Sequence, residues 1–138
     1  MRIVALVLVL AAAAAVGAAD DARPFTVHDL VAMQRIGDAQ PSPDGSRAAF
    51  TVTTMDLEAN RGRSDVWMVP LAGGDPTQLT TNPAGDFSPR WLDDQTLLFL
   101  SSRSGSVQVW RLSLAGGEAT QVTDLPVGVE SLRIGPTG

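Results

Sequence analysis

The side chains that could carry out catalysis are few in this sequence of 138 residues. It contains one histidine, His28, and no cysteine, so thiol nucleophiles and thiolate metal ligands are excluded. A serine becomes a nucleophile only beside a base and an oxyanion hole, and no Gly-x-Ser-x-Gly motif occurs. The 15 acidic residues leave a carboxylate metal site formally possible. We predict no catalytic, cofactor-binding or metal-ligating residue, and expect His28 to face solvent.

Two other features could contact a ligand, although each also has a purely structural explanation. Residues 55–63 form a long connection between two predicted strands, and such loops often carry binding residues. A solvated loop without a function is the alternative. Trp67 and Trp110 alternate with polar positions, which favours packing against a neighbouring sheet over stacking on a ligand. We therefore expect both tryptophans to fill the space between sheets.

An internal repeat determines the elements that position these residues. Val66-Trp67 and the LAGG segment at 71–74 recur 43 positions later as Val109-Trp110 and the LAGG segment at 114–117. The same offset carries an acidic residue, a Thr-Gln pair and a threonine onto their counterparts: Asp75 onto Glu118, residues 77–78 onto 120–121, and Thr80 onto Thr123. A period of about 40–45 residues with four short strands is typical of a β-propeller blade.

The sequence thus predicts an all-β fold, an incomplete β-propeller at residues 38–138. Two four-stranded blades are expected at about 39–80 and 87–123, and a third blade at 131–138 is only begun. The Gly-Gly pairs predict tight reversals with positive φ between the third and fourth strands. Two blades and the start of a third cannot close a propeller, so we expect a fragment of a longer protein. The predicted strands cover residues 39–42, 47–54, 65–71 and 77–79, and then 87–92, 96–101, 107–114 and 119–123.

Residues 1–19 have the pattern of a signal peptide. Arg2 is followed by an apolar run from Ile3 to Val16 and then by small residues. This run has about fourteen residues, whereas a membrane span needs about twenty. We expect cleavage after Ala18 or Ala19, export to the periplasm or the medium, and no stable membrane insertion.

A leader and a short helix are predicted at residues 20–37. Thr26 is the expected N-cap, because its hydroxyl can accept a hydrogen bond from the backbone amide near Asp29. Gly37 is expected to end the helix. The predicted apolar face carries four side chains: Val27, Leu30, Val31 and Ile36.

The overall charge argues against one class of partner. The formal net charge is -5 at pH 7, with ten arginines and no lysine. Sequence-independent nucleic-acid binding needs a cationic face that releases phosphate counterions, so nucleic acid is not expected as a partner. The missing cysteines exclude disulfides but do not argue against export.

Two sets of residues carry a resemblance to known families. Residues 25–30 (FTVHDL), followed by residues 38–50 (DAQPSPDGSRAAF), resemble the start of secreted bacterial prolyl oligopeptidase family serine peptidases, especially acylaminoacyl peptidases and dipeptidyl aminopeptidases. Residues 64–71 and 99–105 also resemble TolB-like propeller repeats. The resemblance covers roughly residues 25–138.

The peptidase resemblance implies a propeller that controls access to a C-terminal α/β-hydrolase domain with a Ser, Asp and His triad. That domain and small peptide substrates are the implied partners, and this chain carries none of the triad. In the hydrolase chain order the histidine comes last, so His28 lies at the wrong end to be the base. A TolB-like propeller with a binding or scaffold role is the main alternative, and a two-repeat module that oligomerises into a ring is a third.

Overall fold

The structure, a computed structural model, describes residues 23–135 and contains one short helix followed by two antiparallel β-sheets. Each sheet keeps its four strands in chain order. The predicted all-β fold with two four-stranded blades is therefore confirmed, while the predicted signal peptide lies outside the described residues. After helix α1 (Val27–Ala32), the first blade contains β1 (Arg35–Pro41), β2 (Arg47–Asp56), β3 (Arg61–Pro70) and β4 (Thr77–Gln78), and the second contains β5 (Asp86–Asp93), β6 (Thr96–Ser104), β7 (Ser106–Ser113) and β8 (Thr120–Gln121).

The internal repeat reappears in the pairing of the strands. Phe50 lies opposite Trp67 in the first blade, as Phe99 lies opposite Trp110 in the second. The residues of both Gly-Gly pairs have positive φ, between 99° and 135°, as the tight reversals require.

A repeated threonine follows the fourth strand of each blade and bonds back to the third strand. The Thr80 hydroxyl accepts a hydrogen bond from the Val66 amide at 2.9 Å, and the Thr123 hydroxyl accepts one from the Val109 amide at 2.9 Å. These threonines recur in the sequence because each one satisfies a backbone donor that the short outer strand leaves free.

Helix α1 is shorter than predicted. Thr26 and Asp29 form the expected capping box, and the Arg23 guanidinium and the Thr26 groups hold the pKa of Asp29 well below its usual range. The prediction that Gly37 ends the helix was wrong, because the backbone is already extended at Met33. Ile36 is not on the helical face, since it belongs to β1 and pairs with Val52. The residues from Arg35 onward therefore form backbone hydrogen bonds with β2 instead of continuing the helix.

The connection at residues 55–63 is also shorter than predicted. Strand β2 continues to Asp56 and pairs there with Arg61, the first residue of β3. A turn of four residues remains, and Asn60 adopts φ 46° in it. The extra residues of the first blade therefore lengthen a hairpin instead of forming a long loop.

Residues 131–135 carry no strand, so the third blade stays a prediction. The turn that leads to them nevertheless repeats the turn that leads into β5. Gly85 and Gly128 have φ 83° and 75°, and each amide donates to the carbonyl oxygen three residues earlier at 3.1 Å. A Cβ at Gly128 would lie 2.9 Å from the Val107 carbonyl oxygen, so glycine is required there.

The hydrophobic core lies between the two blades. Ala49 and Val66 of the first blade pack with Leu97 and Phe99 of the second, and Trp110 packs against this cluster. The predicted position of Trp110 between sheets is therefore confirmed. Trp67 points from the opposite face of its sheet, beside an open groove, so its predicted role stays untested.

Polar contacts also join the blades. The Trp91 indole donates to the Gln40 carbonyl oxygen at 2.9 Å, and the Asp44 amide donates to the Asp94 carboxylate at 2.9 Å. Each contact joins residues about 50 positions apart and thereby fixes one blade against the other. No helix in the described part of the chain is long and apolar enough to cross a membrane.

Candidate functional site

The best candidate for a ligand site lies between the blades, where the core changes from apolar to polar. On the face of the first blade that packs against the second, Ala49 in β2 is followed by Thr51 and then Thr53. In β3 the same face carries Val66 and then Ser64. Side chains alternate along a strand, so these residues share one face. The apolar core thus ends in a set of hydroxyl groups.

A cavity of about 380 Å³, broadly open to solvent, lies at this polar end of the interface. Its volume falls in the range of small-ligand sites. The cavity is lined by hydroxyl, charged and apolar residues from four strands: Thr51, Thr53, Ser64, Ser88, Arg35, Asp38, Ile36, Gly37 and Phe87.

A β-bulge in each inner strand shapes the walls of this cavity. The pairing of β1 with β2 shifts after Gly37, and the pairing of β5 with β6 shifts after Phe87. The residue that comes next in each strand, Asp38 or Ser88, has positive φ, at 48° and 54°. Bulges redirect side chains and are common beside functional sites. The two blades thus place an unusual backbone conformation at the same position.

The charges around the cavity are unequally compensated. The Asp38 carboxylate is paired with the Arg90 guanidinium of the second blade at 2.9 Å and also accepts a hydrogen bond from the Gln40 side-chain amide at 3.1 Å. Arg35 has no ion-pair partner among the described residues. The cavity lining therefore has one uncompensated positive charge.

One buried hydroxyl in the lining lacks a hydrogen-bond partner. Thr51 is 7% exposed, and its Oγ1 contacts no donor or acceptor in the described part of the chain. By contrast, the hydroxyls of Thr53 and Ser64 bond to each other at 2.8 Å. A buried polar atom without a partner costs stability unless something binds to it. The Thr51 hydroxyl is closed off from solvent, so it satisfies no ligand in the cavity, and the charged group of the lining that lacks an ion-pair partner among the described residues is the exposed Arg35.

His28 and the predicted connection at residues 55–63 lie outside the cavity lining, which instead includes Ile36 and Gly37 from the predicted helix and its expected end. His28 lies exposed in the first turn of α1, as expected. The turn at residues 57–60 is exposed and is fixed in part by the Ala59 amide, which donates to the Asp56 carboxylate at 2.9 Å. Within residues 23–135 no three histidine, aspartate or glutamate side chains gather as metal ligands.

Sequence reasoning missed the cavity because its residues lie in four separate strands. Arg35 was assigned to the predicted helix, Thr51 was only a strand residue, and Ser64 lay just before a predicted strand. The polar end of an otherwise apolar face, from Ala49 to Thr51 and Thr53, is the signal that could have found it.

Fold and core together define a segment of a β-propeller with two consecutive blades. The chain is 34% identical over 80 residues to the uncharacterized peptidase YuxL of Bacillus subtilis, a match that covers 57% of this chain and 12% of the relative. No family model matches the chain. The chain spans 10% to 12% of the length of the curated relatives that it matches.

Solved structures show the same fold. The AtxE2 isopeptidase superposes with a TM-score of 0.67 at 24% identity, covering 80% of this chain and 22% of the other. A protein described as TolB from Agrobacterium tumefaciens superposes with a TM-score of 0.52 at 26% identity, covering 67% of this chain and 31% of the other. The resemblance to propeller segments of peptidases and to TolB-like propellers is therefore confirmed.

Proposed function

We propose that this chain is the N-terminal propeller portion of an exported serine peptidase that hydrolyses small peptides. The propeller controls access to a C-terminal α/β-hydrolase domain that this sequence does not contain. The observation that carries the proposal is the similarity of this chain to the uncharacterized peptidase YuxL, at 34% identity over 80 residues. Export rests on the signal-peptide pattern of residues 1–19.

Helix α1 supports the proposed second domain. Four apolar side chains in and around it are half or more exposed, although a capping box and an ion pair hold the helix in place: Phe25, Val27, Leu30 and Met33. Apolar side chains clustered around an ordered helix are typical of a docking surface. We assign this surface to the hydrolase domain.

Substitution of Val27 and Leu30 by Asp in the complete protein tests this docking, because both side chains are half or more exposed in this structure. Burial of two aliphatic side chains is worth roughly 3 to 6 kcal/mol before entropic losses, so the double variant should lose thermal stability and peptidase activity. His28→Gln alters an exposed polar residue of the same helix and is the matched control. Unchanged stability and turnover in the double variant would show that α1 is only a solvated leader.

Access control is tested by the size of the substrate. The complete protein should cleave short chromogenic peptides, and the rate should fall as the same cleavable sequence is placed in longer chains or in a folded protein. Equal rates on a short peptide and on a folded protein with an exposed cleavable loop would contradict the proposed role of the propeller.

A non-enzymatic TolB-like propeller in a binding or scaffold role is the second candidate. The similarity to the Agrobacterium protein, at 26% identity over 67% of this chain, favours it. The two candidates differ in the sequence expected after the propeller in the complete reading frame. A Gly-x-Ser-x-Gly nucleophile motif after the last blade supports the peptidase, and a frame that ends with the last blade supports the scaffold.

A further inference from the structure

We propose that the two ends of the blade pair have different roles: the end next to α1 is covered by the C-terminal domain of the complete protein, and the opposite end faces solvent. The inference rests on the proposed function, because that function supplies the domain. It goes further by assigning Leu57 and Val127 to the contact surface. Side-chain labelling and peptide hydrolysis are measured separately, so the two proposals can fail independently.

The end next to α1 brings together turns from both blades. Arg35, the first residue of β1, pairs with Thr53 near the end of β2, so the chain enters the first blade beside the β2–β3 turn. Arg35 and Phe87 line the same cavity, which places the starts of β1 and β5 at the same end. The Val129 amide donates to the Val107 carbonyl oxygen at 2.7 Å, so the turn after β8 lies beside the β6–β7 turn.

Apolar side chains are exposed at this end. Leu57 in the β2–β3 turn is 64% exposed, and Val127 in the turn after β8 is 95% exposed. They add to the exposed side chains of α1, from which the chain passes directly into β1. A single exposed apolar residue needs no explanation, whereas here three separate segments present such residues at one end. Removing these side chains from water would stabilise a docked domain.

Carboxylates dominate the turns at the opposite end. The β1–β2, β3–β4, β5–β6 and β7–β8 turns each carry one acidic residue and no arginine: Asp44, Asp75, Asp94 and Glu118. The Asp44 amide donates to the Asp94 carboxylate at 2.9 Å, so the turns of the two blades lie side by side. None of the four carboxylates has an ion-pair partner within residues 23–135. A domain docked here would remove unpaired carboxylates from water, which is costly, so this end is the one that stays solvated.

Two observations favour the C-terminal domain as the occupant of the α1 end. Helix α1 lies outside the repeat, so this end already carries structure that belongs to neither blade. This chain spans 10% to 12% of the length of its curated relatives, and a complete protein of their length has most of its residues beyond these two blades. A second copy of the chain would be a different occupant, which dilution distinguishes.

Hydroxyl-radical labelling of the complete protein, read by mass spectrometry, tests the assignment of the two ends. Leu57 and Leu71 are a matched pair, since they are 64% and 55% exposed in this structure and lie in turns at opposite ends. Each labelling rate is divided by the rate of the same residue in the urea-unfolded protein. Leu57 should then react several-fold more slowly than Leu71, and Val127 should be protected in the same way as Leu57.

Substitutions at the same pair give a second measurement. Leu57→Asp should lower the melting temperature of the complete protein, because the new carboxylate would be buried without a partner. Leu71→Asp is the matched control and should leave the melting temperature unchanged. Equal changes in the two variants would overturn the assignment.

Every labelling result decides between the alternatives. Equal rates for Leu57 and Leu71 overturn the proposal, as does protection of Leu71 alone, which would place the domain at the acidic end. Protection of Leu57 that disappears on dilution also overturns it, because a second copy is then the occupant. Protection without peptide hydrolysis retains the docking surface and removes the peptidase, while hydrolysis without protection does the reverse.

Discussion

The two blades share one sequence pattern, but the face that carries its aromatic residues is buried to a different extent in each blade. Phe99 and Trp110 of the second blade face the first blade, and Phe99 is completely buried. The equivalent residues of the first blade, Phe50 at 8% exposed and the half-buried Trp67, border a groove of about 290 Å³ that is open to solvent in the described part of the chain. The repeat therefore sets the composition of a blade face, and the neighbouring element determines its burial.

A buried polar position shows the same difference. Gln108 of the second blade makes four hydrogen bonds, three of them to Thr123 and Leu125 beyond its own strand. Asp65, located 43 residues earlier, has one oxygen paired with Arg63 and one without a partner among the described residues. The segment that follows the outer strand therefore forms hydrogen bonds with the buried polar side chain of the second blade, whereas the corresponding side chain of the first blade keeps one oxygen without a partner among the described residues.

The largest expected effect concerns an ion pair that distinguishes the blades. In the second blade Asp86 is fully buried and holds Arg103 at 2.7 Å, and the Arg103 guanidinium also lies 4.8 Å from the Trp110 ring centre. Arg103→Met leaves a buried carboxylate unpaired and should cost about 3–5 kcal/mol in free energy of unfolding, measured by urea denaturation. Arg63→Met is the comparison: it also leaves a buried carboxylate, that of Asp65, but water can take the place of the 40% exposed Arg63 side chain, so its cost should be lower by at least about 1 kcal/mol. Equal costs would contradict the distinction.

Truncation of the equivalent phenylalanines in the two blades should give the next largest effect. Phe99→Ala removes a side chain enclosed between the blades and should cost about 3–4 kcal/mol, because the cavity it leaves cannot open to water. Phe50 is 8% exposed, and the space left by Phe50→Ala would open into the adjoining groove, so its cost should be lower by about 1 kcal/mol. Both are measured by chemical denaturation of the complete protein. A cost for Phe50→Ala as large as that for Phe99→Ala would show that another element covers the first blade.

The repeat made both sheets predictable, since matched residues such as Trp67 and Trp110 mark the same strand in each unit. Strand ends were less predictable. Ile36 and Gly37 look suitable for a helix end, yet hydrogen bonds to distant residues of β2 draw them into a strand. The cavity was not predictable for the same reason. Arg35 and Thr51 come together only through strand pairing, and local sequence does not specify the register of a bulged strand.

A smaller effect is expected at the buried polar position of the second blade, where the side chain has more hydrogen-bond partners than its counterpart in the first blade. Gln108→Leu removes the acceptor for the Leu125 amide and should cost about 1–3 kcal/mol. It should also increase hydrogen exchange at the amides of Leu125 and Val129, since both lie beyond the outer strand in the segment that Gln108 anchors. Asp65→Asn in the first blade is the comparison. Unchanged exchange in Gln108→Leu would show that the side chain does not hold this segment.

The smallest effect concerns pH at the β1–β2 turn of the first blade. Hydrogen bonds from Ser42 and Ser46 lower the pKa of Asp44 from 3.8 to about 2. A lowered folded-state pKa adds stability above pH 4, and this stability is lost as the pH falls towards 2. Asp44→Asn should therefore flatten the stability profile between pH 4 and pH 2 while changing little at neutral pH. A profile identical to that of the unmodified protein would contradict the role of Asp44.

Labelling of the complete protein with a fluorophosphonate probe, followed by mass spectrometry, tests most directly that these blades belong to a serine peptidase. We expect stoichiometric labelling of one serine outside residues 1–138, lost when that serine is replaced by alanine. We also expect no labelling of the serines within this chain, because a serine needs a base and an oxyanion hole to react. A protein that remains unlabelled while its propeller is folded, or a labelled serine within residues 1–138, would contradict the assignment to a serine peptidase.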